Sequence, residues 1–135
     1  MNKTEYMEKA FKLAEKAIQE GEIPVGAIVV EDGRIIGEGC NRQREDSDPT
    51  AHAEVVALRA AAKVKNNFRL DGADMYVTIE PCNMCREAIS RARIGTVHYA
   101  SYKANPSTHK TEYVAVDDFS SESCDILKKF FKCRR

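Results

Sequence analysis

No apolar run in this sequence approaches the ~20 residues of a membrane span. Met1 to Lys16 mixes charges with apolar residues and lacks a signal-peptide core. No charge excess exists either: 21 basic and 21 acidic residues cancel, so no overall field advertises a polyanionic partner, and local charge must be read separately. Repeats, low-complexity tracts and linkers are absent. A disulfide framework is not expected, because the five cysteines (Cys40, Cys82, Cys85, Cys124 and Cys133) are odd in number and secretion is not expected. These absences predict a soluble, cytoplasmic protein that does not enter membranes. What is present is ordinary: 135 residues with 43% hydrophobic content suit one domain, 1–135, whose core needs no staples.

Helical and strand patterns alternate, which predicts an α/β domain. Thr4 to Glu20 carries apolar residues at helical spacing, and Gly21 is a plausible stop. Val25 to Val30 is an almost wholly apolar strand, Glu31-Asp32-Gly33 a turn, and Arg34 to Cys40 a returning strand. A polar loop follows. A second helix is predicted from Asp48 or Thr50 to about Lys65, with Asp48 as N-cap and Pro49 in the first turn. Met75 to Ile79 reads as a strand, Pro81 to about Ala92 as a third helix, and Gly95 to Ala100 as a strand. After a loop, Ser101 to Thr111, come a short strand, Tyr113 to Val116, and a closing helix, Ser121 to Cys133. The order α-β-β-α-β-α-β-β-α suggests a sheet covered by helices on both faces, and continuous burial of Gly26 to Val30 is what such a sheet demands.

Two short motifs carry chemistry. His52-Ala53-Glu54 lies at the start of the second helix and Pro81-Cys82-Asn83-Met84-Cys85 at the start of the third. Together they match the H-x-E … P-C-x-x-C pattern of zinc deaminases. Cys82 and Cys85 are three apart, so on a helix both sulfurs face one side, and the helix N-terminus stabilises thiolates. A neutral His52 imidazole completes three protein ligands. One histidine and two thiolates leave a fourth tetrahedral position for water, the mark of a catalytic zinc. Glu54 need not be a ligand and is placed to move protons. Cys-x-x-Cys alone also fits a redox pair or half of a structural zinc site, and His52 alone fits a helix cap.

Beyond these motifs the chain resembles the cytidine deaminase superfamily, most closely its bacterial tRNA adenosine deaminase branch. The likeness is carried by Ile23-Pro24-Val25-Gly26-Ala27, Gly37-Glu38-Gly39 with Asn41, Asp48-Pro49-Thr50-Ala51-His52-Ala53-Glu54, Tyr76-Val77-Thr78-Ile79-Glu80-Pro81-Cys82, Ala92-Arg93-Ile94 and the ending Phe130-Phe131-Lys132-Cys133-Arg134-Arg135. The resemblance implies a three-layer α/β/α sandwich around a five-stranded mixed sheet, one zinc per subunit and a homodimer. It implies hydrolytic deamination of adenosine to inosine at the wobble position of a tRNA anticodon. By motif match, His52, Cys82 and Cys85 hold the metal, Glu54 shuttles the proton, Asn41 and Val25 hold the target nucleoside, and the backbone around Ala53 walls the base.

The stretch Tyr99 to Thr108 departs from the family pattern. A glycine after the fourth strand is absent, Lys103 sits about where the family has an aspartate, and the connector is shorter by about a dozen residues. A cation in place of an anion relaxes the demand for one folded tRNA. Single-stranded DNA and free bases or nucleosides therefore stand as alternative substrates. Lys128, Lys129, Lys132, Arg134 and Arg135 put five cations into the last eight residues. With Lys103 they are candidate phosphate contacts, although cations at a helix end also complement its dipole. Cys40 reads as a small buried hydrophobe and His98 as a structural strand residue. Asn41 also suits a simple turn.

Overall fold

The computed structural model describes residues 1–101 and 111–116. The predicted closing helix and the loop from 102 to 110 lie outside the described residues. The elements are α1 (Lys3–Gln19), β1 (Gly26–Glu31), β2 (Arg34–Cys40), α2 (Ala53–Lys65), β3 (Asp74–Ile79), α3 (Asn83–Ala92), β4 (Thr96–Ser101) and β5 (Glu112–Ala115).

Local chemistry sets most boundaries. Asn2 and Glu5 form a capping box that starts α1. Gly21, at φ 76°, ends it, with the Glu22 N–H bonded to the Ala17 carbonyl and the Gly21 N–H to that of Ile18, a Schellman closure. Asp32 and Gly33 both take positive φ, as a two-residue hairpin turn with matching twist requires. The turn sets the register of β1 against β2, from Glu31 opposite Arg34 to Gly26 opposite Cys40, across one irregularity at Val29 and Val30.

The sheet runs β2-β1-β3-β4-β5. β1 is antiparallel to both β2 and β3, whereas β3, β4 and β5 are parallel. The mixed sheet follows from one hairpin, β1–β2, and two helical crossovers, β2–α2–β3 and β3–α3–β4. Each face carries its own core. Tyr6, Met7, Ala10 and Phe11 of α1 pack on Ile28, Val30 and Tyr76. On the opposite face Ala53, Ala57, Leu58, Cys85 and Ile89 of α2 and α3 pack on Ala27, Val29, Met75, Val77 and Val97. The two-sided burial predicted for β1 is present in Gly26 to Val30.

Two predicted helix starts are corrected. α2 begins at Ala53, not at Asp48 or Thr50. The Asp48 carboxylate accepts from the Thr50 N–H and hydroxyl at 2.8 and 2.7 Å, so its capping capacity is spent on a local turn. α3 begins at Asn83, not Pro81. His52 and Cys82 are therefore extended N-cap residues, and neither side chain caps its own helix. Both are left to point elsewhere.

Candidate metal centre and pocket

Sheet topology gathers the site at one edge. Because β1 and β3 are antiparallel, the start of β1 lies beside the end of β3, and the Gly26 N–H bonds to Thr78 Oγ1 at 3.2 Å. The end of β2 joins them through the Asn41 N–H and the Val25 carbonyl. The starts of α2 and α3 close over this edge. A crevice beyond the carboxyl end of a parallel strand is the usual ligand position in such sheets.

Asn41 completes the start of α2. Its Oδ1 accepts from the Ala53 N–H at 2.9 Å, satisfying one of the first-turn amides that have no partner within the helix. With its own backbone held there, the His52 ring meets the cysteines. His52 Nδ1 lies 3.6 Å from Cys82 Sγ and 3.4 Å from Cys85 Sγ. Among the described residues, these three donors form a group whose ligand atoms all lie within 4.8 Å of one another. Glu54, only 3% exposed, lies in the same crevice.

The donor chemistry fits zinc. One imidazole nitrogen and two sulfurs are borderline-soft ligands, and three of them leave a position open. The electrostatics agree: burial pushes the Cys85 thiol well above its ordinary range, and the neighbouring Glu54 and Cys82 push it further. Negative charge on Cys85 is thus penalised in this buried cluster, and a divalent cation reverses that penalty. The two helix N-termini add positive potential.

The pocket beside this cluster is lined by Ile23, Val25, Asn41, Gln43, His52, Glu54, Ile79, Glu80 and Cys82. Its volume is about 170 Å³. Of the residues predicted from sequence, Val25, Asn41, His52, Glu54 and Cys82 line it, and Cys85 is buried against His52. Ala53 is fully buried, and its N–H is committed to Asn41. The predicted phosphate contacts Lys103, Lys129, Lys132, Arg134 and Arg135 lie outside the described residues. Cys40 is buried. His98 stacks on Tyr76 at 4.3 Å, with Nε2 3.1 Å from Asp74, as a structural residue does.

Sequence reasoning missed Ile23, Gln43, Ile79 and Glu80 as pocket residues. Glu80 forms a buried ion pair with Arg86 at 2.5 Å. Arg86 also donates from Nε to the Pro81 carbonyl at 3.1 Å and lies 4.4 Å over the Tyr113 ring. The position of Glu80 directly before Pro81-Cys82 was the available signal. Gln43 had none, since it sits in a loop without a motif.

A mixed sheet between helical layers, with His-Cys-Cys donors and a buried glutamate at two helix starts, defines the class as hydrolytic deaminase. Comparison with known proteins agrees. The family model for the cytidine and deoxycytidylate deaminase zinc-binding region matches residues 1–101. A tRNA-specific adenosine deaminase from Agrobacterium fabrum is 40% identical over 98% of this chain and 96% of its own. A solved structure from a study of A-to-I editing by tRNA:A34 deaminases at the wobble position of transfer RNA superposes with a TM-score of 0.86. It is 38% identical and covers 93% of this chain and 100% of that one. Guanine deaminase from Bacillus subtilis is 44% identical over 76% of this chain and 66% of its own, with a TM-score of 0.73. The chain belongs to the cytidine and deoxycytidylate deaminase family.

Proposed function

We propose that this enzyme converts adenosine to inosine in RNA, at the wobble position of a tRNA anticodon, using one zinc per subunit held by His52, Cys82 and Cys85. The observation that carries the reading is the convergence of these three donors on a pocket that also holds Glu54. Similarity to tRNA-specific adenosine deaminases over nearly the whole chain supports the substrate.

The reaction adds water at C6 of adenine and releases ammonia. Zinc, when bound, supplies the Lewis acidity that brings the pKa of water toward ~7. Glu54 accepts the proton that the attacking water loses. It then delivers a proton to the ring nitrogen next to C6 and assists departure of the amine. Burial keeps that carboxylate away from competing bulk water. Ile23, Val25 and Ile79 offer apolar surface to the base, while Asn41 and Gln43 offer polar groups at the wall. The pocket has room for one nucleobase and not for a base pair, so the target leaves its stack, which an anticodon loop allows at low cost. Lys103, Lys129, Lys132, Arg134 and Arg135 supply charge for the RNA backbone on this reading.

A cytoplasmic homodimer completes the proposal. The dimer is supported by a groove over α2 and α3 whose apolar floor is Val55, Leu58, Ala62, Phe68, Leu70 and Ala88, with Arg59 and Arg91 also lining it. Phe68 there is 78% exposed, and exposed apolar surface of this kind marks interaction sites. No helix among the described residues is long and apolar enough to cross a membrane.

A second reading, deamination of a free purine, is favoured by the similarity to guanine deaminase. One experiment separates the two. Zinc-loaded protein is incubated with an anticodon stem-loop bearing a wobble adenosine, with single-stranded DNA containing adenine and cytosine, and with free nucleosides and guanine. Products are read by base-resolved mass spectrometry. Inosine in the stem-loop is expected, and Glu54→Gln lowers its rate by about 10²–10⁴-fold while zinc is retained. Product only on free purines or on DNA overturns the tRNA reading.

A further inference from the structure

Glu22 is a buried carboxylate that the proton transfers leave unused. It is 2% exposed and lies one residue beyond Gly21, where the Schellman closure of α1 fixes its backbone. Its carboxylate reaches across to the loop after β2. The Arg44 N–H donates to Oε1 and Oε2 at 3.2 and 3.0 Å, and the Glu45 N–H donates to Oε2 at 2.8 Å. Hydrogen bonds from amides to a charged acceptor are roughly twice as strong as neutral ones.

That loop builds one wall of the pocket. Both Asn41 and Gln43 line the pocket; Gln43 directly precedes the amides that Glu22 holds, and Asn41 lies two residues before Gln43. The rest of the loop is tied toward α2: the Arg42 N–H bonds to the Ala51 carbonyl at 2.9 Å, and Gln43 Nε2 donates to the Pro49 carbonyl at 3.1 Å. Asn41 Nδ2 lies 3.4 Å from Gln43 Oε1. Ile23 and Val25, which follow Glu22 in the chain, line the facing side. Glu22 is thus the point where the end of α1, one side of the pocket and the loop of the opposite side meet.

We propose that Glu22 is a positioning residue for nucleoside binding: it clamps the loop after β2 so that the Asn41–Gln43 wall stands at a fixed distance from Ile23 and Val25. The inference rests on the deaminase reading and names the group that shapes its pocket. The clamp touches no reacting atom and no metal donor. Its loss therefore acts on the KM for the nucleoside, not on the chemical step or on zinc retention.

The test compares wild type, Glu22→Gln and Glu22→Ala, each zinc-loaded, on the anticodon stem-loop. Rates are expressed per bound zinc, and backbone hydrogen exchange is followed at Arg44 and Glu45. The expected result is faster exchange at those two amides and a KM raised about tenfold in Glu22→Ala. The Gln variant, which keeps an oxygen acceptor, recovers much of both. In both variants kcat per zinc stays within about twofold. A purely structural role predicts a different pattern: a lower melting temperature and fewer zinc-loaded molecules with KM unmoved. An unmoved KM or unaltered exchange at Arg44 and Glu45 overturns the proposal, as does a fall in kcat per zinc without a KM change. If Glu22→Ala does not fold, Glu22→Gln decides through a smaller effect: only one of the two accepting oxygens remains, so exchange at Arg44 and Glu45 and the KM both rise above wild type by less than in a full loss of the clamp, and wild-type values of both overturn the proposal. Absence of product from wild type on every substrate refutes the deaminase reading instead, and exchange at the two amides still reports on the clamp.

Discussion

Gly39→Ala is the perturbation that best probes how the fold holds the site. A Cβ at Gly39 meets the Ala53 carbonyl oxygen at 2.5 Å, the Ala57 amide nitrogen at 2.6 Å and Val56 Cβ at 2.9 Å, where ordinary contact begins at 3.4 Å. Two of these atoms are α2 backbone, so the helix itself must retreat by about 1 Å to restore contact distance. The Ala53 carbonyl stands between His52 and Glu54 in the chain, and that retreat draws both away from Cys82, the N-cap of α3, and Cys85 in its first turn. A misplacement of about 1 Å lowers catalysis by about 10²-fold. Overpacking of this kind also lowers stability by about 1–3 kcal/mol. Gly37→Ala provides the control. Its Cβ meets Ala57 O at 2.4 Å and Ala61 N at 2.8 Å, on the same helix but a turn further from the metal donors. Both variants should lose similar stability in urea denaturation. Gly39→Ala alone should lose zinc per chain, by elemental analysis, and about 10²-fold in inosine formation, whereas Gly37→Ala keeps kcat within about threefold. Wild-type zinc content and kcat in Gly39→Ala, or equal losses in the two variants, refute the reasoning.

Arg86→Met leaves Glu80 buried without its cation and should lower stability by about 3–5 kcal/mol in urea titration. The double variant with Glu80→Gln should recover most of that loss, because the uncompensated charge is gone. Zinc uptake by metal-stripped protein should release protons. Cys85 is held above its ordinary range, so it is a neutral thiol near pH 7 and must ionise to ligate. Zinc affinity then rises with pH, by about tenfold per pH unit for each thiol that ionises on binding. Calorimetry in buffers of different ionisation enthalpy measures both effects, and pH-independent affinity contradicts the assignment of Cys85 as a ligand.

The candidate site was legible because metal donors and a proton carrier require particular residue types at short spacing. His52, Glu54, Cys82 and Cys85 announce themselves in two motifs, and the alternation of helix and strand patterns announced the layered sheet. Helix starts were less legible. Asp48 and Pro49 form a credible helix opening, yet the Asp48 carboxylate binds Thr50 and the helix begins at Ala53. Propensity ranks cap residues but cannot say which nearby donor a short side chain will choose.

Sequence by itself determined which residues are candidate donors and candidate proton carrier, the two-sided burial of β1 and the order of the eight elements from α1 to β5. Tertiary structure alone decided what surrounds them. Ile23, Gln43, Ile79 and Glu80 come from three separate segments, and they share one pocket because β1 lies antiparallel between β2 and β3. Glu22 belongs to no motif and becomes visible only when the loop amides it holds are seen beside it. Short-range patterns record the demands of local bonding and of the metal, whereas a pocket wall is assembled by strand order, which brings residues distant in the chain to the same sheet edge.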